Sequence, residues 1–210
     1  MVINGIKKFF ISVAVFLTTT YIMYLYSTNS QNFQQISHPL KYREYVEQYS
    51  REFDIDPYLL YAFIKTESSF EPEAVSSAGA IGLTQITEET FSWLKLKLCP
   101  KEDIVFEDLY NPEVSIRFGA YYISRCLERY NGSIDTAAAA YHSGWGTVDK
   151  LLSQQGGEVL TEFPYAQMSN YVYKINKASK AIKKYTKTKK EYNNGKTHRQ
   201  RTAEVTCLFC

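Results

Sequence analysis

From Leu40 onward, apolar residues recur at steps of three and four, and no alternating run is long enough to make a strand. That period restricts the body of the chain to a mainly α fold. Tyr42, Tyr45, Val46, Tyr49 and Phe53 mark a first amphipathic helix. Asp56-Pro57 supplies an N-cap followed by proline at the first helical position. Leu59, Leu60, Phe63 and Ile64 then form the apolar face of a second helix, which reaches Glu67 or Ser69. A loop, Ser76-Ser77-Ala78-Gly79-Ala80-Ile81-Gly82, leads to a third helix near Glu88 to Leu98, capped by Thr87. Asn111-Pro112 opens the longest internal helix, whose Ile116, Ala120, Ile123, Leu127 and Tyr130 share a face until Asn131-Gly132 stops it. Ala137 to Tyr141 makes a short helix of small residues, and Gly144-Trp145-Gly146 breaks the chain. A last helix runs from about Pro164 to Tyr185.

The 210 residues, 45% of them hydrophobic, suffice to bury a core, which excludes a wholly disordered, collagen-like or disulfide-only chain. The net charge of +2 conceals two unlike parts. Up to Tyr173 there are 13 basic and 20 acidic residues, net −7, and after it 11 basic and 2 acidic, net +9. The body, residues 40–185, is therefore mildly acidic, and residues 186–210 read as a basic, flexible tail in which Asn193-Asn194-Gly195 ends any helix.

Lys7 and Lys8 precede Phe9 to Tyr26, 18 residues without a charge. At roughly 1.5 Å per residue this stretch just reaches a hydrocarbon core of roughly 30 Å. Charge upstream, and none downstream until Lys41, predicts an N-terminus held in the cytoplasm and export of the rest. Residues 1–26 thus read as a transmembrane anchor. In the alternative, Thr18, Thr19 and Thr20 divide the stretch, and Phe9 to Leu17 is the apolar region of a signal peptide removed near Ser27 to Ser30. Residues 27–39, polar and ending in Pro39, read as a linker.

Export permits disulfides. Of the pairings open to the four cysteines, Cys99 with Cys126 is the expected bridge, the competing reading being that both are small buried hydrophobes. Cys207 and Cys210 lack a second ligand pair, and the three histidines form no metal-binding spacing, so no metal or cofactor is expected.

The carboxylate that draws attention is Glu67. It continues the face of Leu60, Phe63 and Ile64, so apolar neighbours desolvate it, and the helix C-terminus also disfavours its negative charge. Both effects raise its pKa, as a general acid for glycosidic cleavage requires. Ser68 follows it directly. Further on come Ser76, Gly82-Leu83-Thr84-Gln85, Asn111-Pro112 to Ile116, Gly119 to Ile123, Ala140-Tyr141-His142-Ser143-Gly144 and Asn170-Tyr171-Val172. In that order, over about residues 56 to 176, the chain resembles the lytic transglycosylases of the soluble, goose-type-lysozyme-like class. Their pattern runs E-S, a Ser and G-A-x-G-L-M-Q, N-P-x-x-x-I-x-x-G-x-x-Y-L, A-Y-N-x-G and a late Tyr-Val.

The resemblance implies a lysozyme-like fold with Glu67 as the single catalytic acid/base. It implies Ser76 as a hydroxyl holding the sugar's N-acetyl group, Gln85 as a groove-lining amide, and Tyr141 and Tyr171 as tyrosines beside the catalytic carboxyl and the cleft. Two positions depart from the pattern. Thr84 replaces the usual Met, which is expected to weaken an apolar wall of the cleft, and His142 replaces the usual Asn, which bears on substrate positioning and pH dependence. Trp145 either stacks on sugar or anchors a turn, and Trp93 is expected to face the core. Glu71, Glu73, Glu88 and Glu89 are candidate second carboxylates better explained as solvated.

The implied activity is cleavage of the β-1,4 bond between N-acetylmuramic acid and N-acetylglucosamine in peptidoglycan, leaving 1,6-anhydro ends. A hydrolase of the same fold and a peptidoglycan-binding protein without activity are the competing readings. The implied location is the bacterial cytoplasmic membrane, single-pass, with the catalytic domain on the periplasmic side, or export after signal cleavage. General wall turnover and local opening for a secretion or conjugation apparatus both suit a small member of this class. No base-stacking motif accompanies the tail's lysines, so no nucleic-acid partner is expected; attraction to the anionic wall or to membrane headgroups is the simpler account.

Overall fold

The structure, a computed structural model, describes residues 13, 16–21, 24 and 41–207, with side chains through residue 189. The chain divides into two compact units, residues 1–40 and 41–210. In the first, the described residues are helical, and Phe16, Leu17, Tyr21 and Tyr24 are exposed. Among the described residues no helix is long and apolar enough to cross a membrane. Most of the expected span from Phe9 to Tyr26, and all of the linker at 27–39, lies outside them.

The second unit consists of helices α1 (Arg43–Glu52), α2 (Pro57–Ser68), α3 (Glu88–Leu98), α4 (Pro112–Arg129), α5 (Ile134–Ser143), α6 (Trp145–Gln155) and α7 (Ala166–Cys207), with a 3-10 turn at Phe106–Tyr110. Among the described residues no strand forms, only isolated bridges joining Val75 to Ile81 and Ile81 to Ile86. The helix starts follow local chemistry. Side-chain oxygens of Asp56, Thr87, Asn111 and Ser133 accept backbone N–H groups of Tyr58, Thr90, Glu113 and Thr136, and Pro57 and Pro112 occupy first-turn positions where no donor is needed.

The core is organised around α2. Leu59, Leu60, Tyr61, Ala62, Phe63 and Ile64 are all buried, so this helix is enclosed on every side. It packs on α1, α4 and, most extensively, α7, which presents Met168, Tyr171, Val172 and Ile175. Each such large side chain, taken from water, contributes about 1.5–3 kcal/mol. Ala137, Ala138, Ala139 and Ala140 are buried on α5, and these short side chains let it pack closely among α4, α6 and α7.

Three expectations are corrected. Gly144 does not simply break the chain: its φ of +80°, open to glycine without strain, turns the backbone directly into α6, whose Val148 and Leu151 are buried. The last helix does not stop at Asn193-Asn194-Gly195 but continues to Cys207, so the tail at 186–207 is helical. A glycine costs about 1 kcal/mol against alanine, too little to end a long helix by itself. Finally, Cys99 and Cys126 are not bridged. Both are buried free thiols, and the Cys126 Sγ accepts the Trp145 indole N–H at 3.2 Å.

Candidate active site

Glu67 lies one residue from the end of α2. Beyond it the chain turns sharply, with Ser69 and Phe70 both left-handed at φ 54° and 69°. Phe70 holds this unusual backbone because its ring is buried against Tyr61. The turn leaves the Glu67 carboxyl half-buried among aromatic rings. Burial pushes its pKa up to about 7, even though the Tyr171 hydroxyl donates a short hydrogen bond to Oε1 and favours the charged form. Neither influence is another carboxylate. At neutral pH the group therefore exists in both protonation states, which suits an acid that must later act as a base.

Residues distant in sequence build the wall around it. Phe63, one turn back on α2, meets the ring of Tyr141 edge-on at 4.9 Å and that of Tyr171 at 6.3 Å. The Tyr141 hydroxyl donates to the Thr84 carbonyl at 2.6 Å, tying α5 to the loop before α3. His142, exposed at the end of α5, lies parallel on the Tyr171 ring at 4.5 Å and 11°. Partial burial and the nearby Lys174 charge lower its pKa, which favours the neutral imidazole. The position expected to alter substrate placement thus buttresses the tyrosine that holds the acid.

Ser76 and Gln85 belong to the loop at 74–86. The Ser76 Oγ accepts the Ala80 N–H at 3.0 Å, while Ser76 and Ala80 also pair through backbone at 2.9 Å. Gln85, at φ 49°, donates both amide hydrogens to the carbonyls of Ala74 and Gly82, at 2.9 Å each. Its amide holds the loop shut. Gly82 is obligatory here, since a Cβ would fall 2.1 Å from the Leu109 carbonyl oxygen.

Thr84 does not form a cleft wall. It is fully buried against Gly119, donates from Oγ1 to the Ser115 carbonyl at 2.8 Å, and its backbone N–H donates to the Ser115 Oγ at 3.2 Å. Its hydroxyl is satisfied by the core, so the Thr84 side chain itself adds no surface to a cleft. Trp93 is also corrected. It is half-buried rather than core, and with Trp145 and Tyr122 it lines a pocket of about 290 Å³. Phe63 was visible in the sequence only through its apolar period, and Tyr122 only as part of the stretch Gly119 to Ile123. Glu71, Glu73, Glu88 and Glu89 are exposed, as solvated carboxylates should be, and no cluster suited to a metal occurs among the described residues.

A helical domain that buries one acidic side chain at a helix end and flanks it with tyrosines defines a recognisable class. Residues 44–162 match the family model described as "Transglycosylase SLT domain", and the chain belongs to that family. The 70 kDa soluble lytic transglycosylase of Escherichia coli is similar, with a TM-score of 0.66 at 22% identity over 70% of this chain and 25% of that one. An inactive mutant of the lytic transglycosylase Slt of Pseudomonas aeruginosa gives a TM-score of 0.62 at 24% identity, again over 70% of this chain and 25% of that one. A complex of the 70 kDa soluble lytic transglycosylase with bulgecin A also matches, at a TM-score of 0.66, 22% identity and the same coverages. These likenesses establish the lysozyme-like helical fold, and this chain spans about a quarter of the length of those enzymes.

Proposed function

We propose that the protein is a peptidoglycan lytic transglycosylase. The observation that carries the reading is the single carboxyl of Glu67, raised to about 7 by burial and gripped by Tyr171. Protonated Glu67 gives its proton to the glycosidic oxygen linking N-acetylmuramic acid to N-acetylglucosamine, and that bond to C1 breaks. The muramyl acetamido oxygen attacks C1 in place of a protein nucleophile, a substrate-assisted course that needs no second carboxylate. The Glu67 carboxylate, stabilised by the Tyr171 hydroxyl, then takes the O6 proton. O6 displaces the acetamido oxygen at C1, closing a 1,6-anhydro ring. No water is consumed and Glu67 ends protonated, ready for the next cut. Ser76 and Gln85 shape the loop beside this path, and His142 keeps the Tyr171 ring in register.

The amino-terminal unit suits a membrane tether. Its described residues are helical with large apolar side chains exposed, and the Thr19 and Thr20 hydroxyls bond back to the Phe16 carbonyl at 2.9 and 3.0 Å. Such back-bonding satisfies a hydroxyl where no water is present. The lytic domain would then act on the wall side of the cytoplasmic membrane.

Products test the chemistry. Digestion of isolated wall should release fragments whose muramyl ends are one water lighter than reducing ends by mass spectrometry, and Glu67→Gln should lose about 10²–10⁴-fold in rate. Reducing ends would make the protein a hydrolase instead, and an equally active Glu67→Gln would remove the mechanism.

A further inference from the structure

Helix α7 has a face that the fold does not use. Its Tyr171, Ile175 and Ile182 are buried against the core. Two residues turn an α-helix by about 200°, so Tyr173, Lys177 and Lys184, each two places further on, point the opposite way. Lys180 and Lys187 continue that line at steps of three. Tyr173, Lys177, Lys180, Lys184 and Lys187 therefore form one exposed row about 21 Å long. The Lys177 ammonium lies 5.6 Å over the Tyr173 ring. No acidic residue occurs from Ala166 to Lys190, and among the described residues none of the four lysines in the row forms an ion pair. Lys183, beside the row, pairs instead with Asp56 at 3.8 Å.

A solvated helix face is stabilised by acids and bases interleaved at steps of three and four. Four cations at those steps repel one another and weaken the isolated helix. An anionic surface outside the fold would relieve that repulsion. Resting on the reading that the amino-terminal unit is a membrane tether, we propose that this row docks on the anionic phospholipid surface of the same membrane and sets the orientation of the lytic domain above it. Tyr171, whose hydroxyl holds Glu67, lies on the opposite side of α7 from Tyr173, so docking turns the acid away from the lipid and toward the wall.

Four properties favour a bilayer over an anionic polymer. The row is the outer side of a helix, a convex line of charge that fits a plane, whereas a polymer strand is gripped by a groove. Tyr173 at its head is 61% exposed and Tyr165, just before α7, is 52% exposed. Phenol rings favour the headgroup level of a membrane, which accommodates both the apolar ring and the hydroxyl. The chain up to Tyr173 carries a net charge of −7 and is repelled by an anionic surface, so the body meets such a surface through α7. The linker at 27–39, at most about 45 Å when extended, keeps a tethered domain close to the bilayer.

The full-length chain is reconstituted into vesicles of phosphatidylcholine alone and of phosphatidylcholine with about 30% phosphatidylglycerol. Lysine modification by a membrane-impermeant amine reagent is then followed by mass spectrometry, with the exposed Lys97 and Lys101 as internal reference. We expect the row to react at least about threefold more slowly than the reference in the anionic vesicles only. That protection should vanish at about 1 M salt, where the screening length shrinks to about 3 Å. Lys180→Gln combined with Lys184→Gln removes two exposed charges outside the reaction site and should leave wall digestion unchanged. At about fivefold per lysine it should weaken docking about 25-fold, returning Lys177 and Lys187 to their rates in neutral vesicles. Equal rates in both vesicles, or protection that survives the double substitution, overturns the proposal. So does protection by isolated wall but not by anionic vesicles, which would assign the row to a wall polymer. A chain that does not stay with neutral vesicles refutes the tether alone if the row is still protected in anionic ones, and refutes both if it is not. The products of wall digestion decide the lytic reading separately.

Discussion

Replacing Glu67 by glutamine removes a titration while keeping an oxygen for the Tyr171 hydroxyl. In the folded protein burial raises this carboxyl from 4.5 to about 7, so between those values the folded state holds a proton that the unfolded state has released. Stability must therefore fall as pH rises through that window, and the loss is complete above the folded value. The shift of about 2.5 units corresponds, at about 1.4 kcal/mol per unit, to a cost of about 3 kcal/mol. Glutamine escapes it. The assay is urea unfolding of both proteins near pH 4.5 and near pH 8.5. Effects that do not depend on pH, such as a poorer bond to Tyr171, cancel when the stability differences at the two pH values are subtracted. Glu67→Gln should gain about 3 kcal/mol on the original protein between the two conditions. A gain below about 1 kcal/mol would mean that the carboxyl is not desolvated in the way the structure shows, and the argument for a protonated acid would go with it.

Tyr171→Phe tests the opposing influence. Its hydrogen bond lowers the Glu67 pKa, so its loss should move the alkaline limb of the activity profile to higher pH; a limb that stays put or moves down refutes the assignment. Gly119→Ala tests the seat of Thr84. A Cβ there would lie 2.3 Å from the Thr84 Cγ2, and Thr84, bonded to Ser115, has no room to move. We expect about 3 kcal/mol of destabilisation and a Tm about 10 °C lower by calorimetry, against a refuting change of under about 2 °C.

Much of the helical layout was legible because it rests on neighbours in sequence. The caps at Asp56, Thr87 and Asn111 and the prolines after two of them announce three helix starts, and period alone places Leu60, Phe63, Ile64 and Glu67 on one face. Helix α6 was missed because Gly144 and Gly146 read as punctuation. One φ of +80° permits both a helix end and an immediate restart, and only the packing of Val148 and Leu151 selects the second. The helical tail was missed for a related reason. Local stop signals are weak, and propagation adds a hydrogen bond with each residue.

What the sequence determined by itself is the helical class, the position of the acid near a helix C-terminus and the ordered motifs that mark the family. Tertiary structure decided how those residues work. The hydroxyl that grips Glu67 comes from 104 residues away, Thr84 is drawn into the core by Ser115, and Trp93 pairs with Trp145 across three helices to open a pocket. Period and capping depend on backbone bonds within a few residues and can be read along the chain. Desolvation, ring contacts and shared cavities depend on which surfaces meet, and these exist only after the helices have packed.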